Sequence, residues 1–125
     1  MSAVNELSAA WSRLGEKELA AIKALALNVG MRQSFPQMAA YLESQHRNEI
    51  AHRENLATRQ HSTPWQDRPN AELASWFHAA SAVRRCSIHS NVFAEWGGLL
   101  YDSICEEMSA RLTAETLFSR LVGEQ

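Results

Sequence analysis

Apolar side chains recur along most of this chain at three- and four-residue steps, and no segment alternates with period two over a useful length. That periodicity lays apolar groups on one face of successive helices and leaves no strand, so the expected fold is all-α. Leu7, Trp11, Leu14, Ile22, Leu25 and Val29 form the first stripe, predicting a helix over 4–29 that Gly15 interrupts and Gly30 ends in a left-handed turn. Ser34 and Gln37 stand in capping-box relation with Pro36 between them, predicting a second helix over 35–57. Pro64 and Pro69 interrupt a polar stretch that reads as the main loop, 58–70.

Asn70 is a good N-cap for a third helix over 71–91, whose stripe is Leu73, Trp76, Phe77, Ala80, Val83 and Ile88. Phe93, Trp96, Leu100, Ile104, Met108 and Leu112 predict a fourth over 92–112, with a kink expected at Gly97 and Gly98. Thr113 can cap a short last helix over 114–122 carrying Leu117, Phe118, Leu121 and Val122. At 125 residues the chain can bury one core, so these elements form a single-domain bundle of four to five helices.

Charge narrows the function classes. Twelve basic against 14 acidic residues give a net charge of −2, so no global field draws the chain onto nucleic acid or an anionic membrane, and any RNA contact must be local. Cys86 and Cys105 lack the paired spacing of zinc or redox sites, which suits buried thiols in a reducing cytoplasm. Neither an export signal nor a membrane span is legible. No Gly-rich phosphate loop or nucleophile motif occurs, and no cofactor is called for.

The unusual stretch is Glu43 to Asn55, where only Ile50 and Ala51 are apolar among densely packed ionisable and amide groups. Such a patch faces water, faces a partner, or is held together as a site, because unpaired polar groups are costly to bury. Its Glu-x-x-His steps, Glu43 to His46 and Glu49 to His52, share one helix and have no counterpart elsewhere, so no metal site is expected. Arg84 and His89 repeat the Arg-to-His spacing of Arg47 and His52 with Arg85 in the polar slot, and read as coincidence.

Arg47-Asn48-Glu49-Ile50-Ala51-His52 resembles the signature of the HEPN superfamily: an arginine, a polar residue, and a histidine a few residues on. The resemblance implies a small helical homodimer acting as a metal-independent endoribonuclease, in a toxin or phage-defence setting, with Arg47, Asn48 and His52 as its catalytic residues. His52 would move protons, Arg47 would hold the phosphate, and Asn48, four residues before His52 and so on its face, would orient the imidazole or bind a phosphate oxygen. Arg53 and Arg59 are the nearest candidates for RNA phosphate contacts. The competing expectation is a non-enzymatic helical interaction protein: an adaptor, an inhibitor, or a small subunit of a larger, even nucleoprotein, assembly. Trp65, in its Pro-flanked loop, then either covers the end of the bundle or anchors the partner.

Overall fold

The computed structural model describes residues 3–86 and 90–123, with side chains described as far as residue 115. These residues form a single all-α domain with no strand among them. Ile88 and His89, and the side chains of Leu117, Phe118, Leu121 and Val122, lie outside that description.

The first predicted helix is three helices: α1 (Ala3–Arg13), α2 (Glu16–Leu27) and α3 (Val29–Ser34). Gly15 makes the first break, as expected, with an extended backbone before Glu16. The second break falls at Asn28, whose side chain accepts the Met31 N–H at 3.0 Å and so caps α3. Gly30 is therefore inside a helix, and the left-handed turn expected there is not formed; among the described residues the only positive φ outside glycine is at Asn55.

Helix α4 (Pro36–Arg53) starts with proline where the first turn has no backbone partner to lose. The expected Ser34–Gln37 capping box is absent, because Ser34 belongs to α3 and Phe35 occupies the cap. A single 3-10 turn (Pro64–Asp67) sits in the main loop, followed by α5 (Asn70–Arg85). Asn70 is the first helical residue rather than the cap, and its amide bridges to Glu115 and Arg111 instead.

Helix α6 (Asn91–Gly123) is continuous for 33 residues. Ser90 Oγ caps it by accepting the Phe93 N–H. The two C-terminal helices expected from sequence are thus one: threonine at 113 is a mediocre helix former but no breaker, and nothing else between Leu112 and Ala114 stops the chain.

Helix α6 is the spine. Helix α1 runs antiparallel along it, held where Glu106 accepts the Ala3 N–H and where Arg13 meets Glu95 at 2.7 Å. Helix α5 packs on another face, with the Arg84 guanidinium 4.8 Å above the Tyr101 ring. Helices α2 and α3 pack on α4. No helix among the described residues is long and apolar enough to cross a membrane.

Neither of the paired glycines is required by the α5–α6 approach, since a Cβ at Gly97 would make only an ordinary van der Waals contact. A Cβ on Gly97 would lie 3.8 Å from the Arg84 backbone, whereas one on Gly98 would meet nothing within 4 Å. Gly98→Ala should therefore stabilise the fold by about 0.5–1 kcal/mol, since it removes only the backbone entropy of a helical glycine. A shift of the urea midpoint to higher concentration checks this.

One expectation about burial is corrected, for the two cysteines, and one open alternative is decided, for Trp65. Cys86 is exposed and Cys105 only half-buried, because Cys86 lies just past the end of α5. Trp65 is fully buried, at 0% exposure, with its ring 5.4 Å from Tyr41 and 5.7 Å from Trp76. Arg111 of α6 ties down the turn by donating to the carbonyls of Trp65, Gln66 and Arg68. With no exposed surface, Trp65 closes the bundle and cannot anchor a partner in this conformation.

Candidate functional site

The polar half of α4 divides by helical face. Gln45 and Glu49 point inward and are buried, while Glu43 and Arg47 point out. Residues four apart share a face, so burying Glu49 also brings Gln45 and Arg53 to the same side.

Glu49 is fully enclosed and saturated with donors. Arg59 forks onto it through Nε at 3.0 Å and Nη2 at 3.1 Å, Arg53 Nε reaches it at 2.7 Å, and His61 Nε2 at 2.8 Å. Arg53 does a second job: its Nη2 donates to the carbonyls of Trp11 and Leu14, at and just past the end of α1. The His61 ring lies flat on Trp11, centroids 4.6 Å apart and planes 7° apart. One carboxylate therefore joins α4, the end of α1 and the loop 54–63.

Gln45 completes the cluster. Its Oε1 accepts the Ser62 N–H at 3.1 Å, which orients the amide, and the same oxygen lies 2.8 Å from His61 Nδ1. Its Nε2 donates to Ser62 Oγ at 3.2 Å. Both nitrogens of His61 thus face acceptors, an arrangement that the imidazolium satisfies completely and the neutral ring only in part.

Burial opposes the charge on Glu49, but the hydrogen bonds from Arg59, Arg53 and His61 outweigh it and hold the carboxyl at about 2, against an ordinary 4.5. Burial pulls the His61 pKa below its ordinary 6.5, with Arg59 and His52 adding to the shift and Glu49 opposing it. Both groups bind protons more weakly folded than unfolded, so each contributes stability that acid removes. The loss should begin below pH 6.5 through His61 and steepen from pH 4.5 towards 2 through Glu49. Urea midpoints measured at descending pH check this; in Glu49→Gln the component below pH 4.5 should be missing.

No family model, curated protein or solved structure matches the chain.

The residues expected to act on RNA are not gathered into one place within the chain. Helix α4 is unbroken through the motif, so Arg47 and His52 are separated by about 140° around its axis. Arg47, 73% exposed, has only a long 3.5 Å contact to Glu43 and lines a cleft of about 320 Å³ with Lys23, Leu27, Glu43, His46 and Ile50. His52 is half-buried, with no partner for its Nδ1 among the described residues. The Asn48 amide donates to the Gln60 carbonyl at 3.3 Å, which fastens the loop. Arg53 and Arg59, expected on phosphate, are both on Glu49.

Sequence reasoning did not single out Gln45, His61 or Lys23. The Glu49-to-Arg53 step is a recognisable helical ion pair, but His61 follows Glu49 by twelve residues through an irregular loop, where helical spacing carries no information. Chemically, a buried carboxylate whose lone pairs are filled by three donors is a fastening and a poor base. Lys23, His46 and Arg47, by contrast, line the open cleft between α2 and α4.

Proposed function

We propose that this protein is a non-enzymatic helical interaction module, a small subunit or adaptor that works through its surface. What carries this reading is the use of the charged stretch: Arg53 and Arg59 neutralise Glu49 inside the fold, and Asn48 holds the loop at Gln60. Groups so engaged are poorly placed to bind a substrate phosphate, since reaching one would strand a buried carboxylate. The absence of excess positive charge, with a net of −2, also suits a protein partner better than a polyanion.

The second reading, a metal-independent endoribonuclease related to the HEPN superfamily, is favoured by one observation. The Arg47 guanidinium is free of short internal contacts and available to a phosphate. A site assembled across two protomers of a homodimer would bring His52 of one towards Arg47 of the other and remove the angular difficulty.

Cleavage of a labelled structured RNA in EDTA separates the two, with wild type, Arg47→Ala and His52→Ala compared after their folds are verified by circular dichroism. The interaction reading expects no cutting that depends on either residue. Cutting lost in both folded variants would overturn it and establish the ribonuclease.

A further inference from the structure

The geometry points to the cleft between α2 and α4 as the docking site for an acidic, amphipathic segment of a partner protein. This rests on the interaction reading and names the chemistry of its partner. Three nitrogen-bearing side chains line the cleft: Lys23 from α2, and His46 and Arg47 from α4. Its remaining walls include Leu27, 48% exposed, and Ile50, which is half-buried against the core. Val29, two residues beyond Leu27, is 68% exposed. Lys23 and Arg47 are surface side chains without short ion pairs among the described residues, so their charge is available to an incoming carboxylate.

The mixture selects among anionic partners. Glu43, at 3.5 Å from Arg47, offsets part of the positive charge for any anion, so the apolar wall separates the candidates: a nucleic-acid backbone offers a continuous row of phosphates and gains nothing from Leu27 or Ile50. A helical segment with carboxylates on one side and leucine-like residues on the other matches both halves of the cleft: its acids meet Lys23 and Arg47, and its apolar face covers Leu27 and Ile50. Its carboxylates lie at the edge of the contact, where charge sets orientation and rate of association, and the apolar pair excludes water at the centre. His46 sits between these groups. Burial and the Lys23 charge lower its pKa, so near neutral pH it offers a hydrogen bond without adding to the positive charge.

The test uses the whole isotopically labelled chain and three probes: a synthetic peptide with leucines at helical spacing among glutamates, the same peptide with lysines in place of the glutamates, and a short single-stranded RNA. Amide and side-chain shifts at Lys23, Leu27, His46, Arg47 and Ile50 should saturate with the acidic peptide alone. Lys23→Glu and Arg47→Glu should each weaken it about tenfold, and raising the salt should do the same to wild type. Leu27→Ser should weaken binding with its salt dependence unchanged, a result that charge attraction alone would not produce. No shifts with the acidic peptide, equal shifts with the basic one, or saturation by RNA in its place would each overturn the assignment. The first outcome leaves the interaction reading standing on another face; it is RNA cutting in the variant assay above that would overturn that reading.

Discussion

Replacing Glu49 by alanine is expected to destabilise the fold by about 3–5 kcal/mol, the usual consequence of removing one partner from a buried ionic cluster. The loss comes less from the attraction removed than from what remains. Arg59 and Arg53 would keep their charges near a cavity with no counter-ion, and His61 would lose the carboxylate that holds its Nε2. Both arginines are about one-third exposed, so water can recover part of the loss, which places the result nearer the lower bound. Glu49→Gln keeps the shape but not the charge and should cost somewhat less. Arg59→Ala should cost only about 1 kcal/mol, because Arg53 and His61 still satisfy the carboxylate. Urea unfolding at pH 7 measures all three. A loss below 1 kcal/mol for Glu49→Ala would mean that the carboxylate is solvated and the loop is held by other contacts. Amide exchange supplies a second readout: in Glu49→Ala, protection of the Ser62 N–H should fall further than protection in α6, because that loop is fastened largely through Gln45, Glu49 and Asn48.

Trp65→Ala should cost a similar 3–5 kcal/mol by a different route. The indole is wholly enclosed between Tyr41 of α4 and Trp76 of α5, so truncation empties a space bounded by two helices that are separately fixed to the rest of the bundle. Its Nε1 has no hydrogen-bond partner among the described residues, so nothing polar is lost with the ring, and the cost is that of contacts and cavity. Trp65→Phe should consequently retain much of the stability. If Trp65→Ala cost under 1 kcal/mol, the 3-10 turn would be collapsing into the gap and Arg111 would not be holding it against α6.

These two residues mark where sequence reading stopped. Helical periodicity sufficed for the all-α class and for most core positions: Leu7, Trp11, Ile22, Leu73, Trp76, Phe93, Trp96, Leu100 and Ile104 are all buried as their spacing predicts. It also placed the Gly15 break and the proline start of α4, both local consequences of backbone chemistry. Boundaries that depend on competition between neighbours were less legible. Asn28 ends one helix and caps the next, and Thr113 passes through a helix that its residue type merely tolerates.

Apart from the helical Glu49–Arg53 pair, the division of labour within 43–61 was decided by tertiary structure. In sequence, the motif sets Arg47 and His52 apart, but nothing there tells that Arg53, Arg59 and His61 converge on Glu49. Packing α4 against α2 and laying the loop 54–63 over Trp11 assigns Glu49, Arg53, Arg59 and His61 to a buried cluster and leaves Lys23, His46 and Arg47 around an open cleft. The physical reason is one of range. Helix formation and its breaks are set by residues within four positions of one another, which a linear reading sees directly. Which charges meet is set by how faces pack and where an irregular loop returns, and those are determined by the whole core at once.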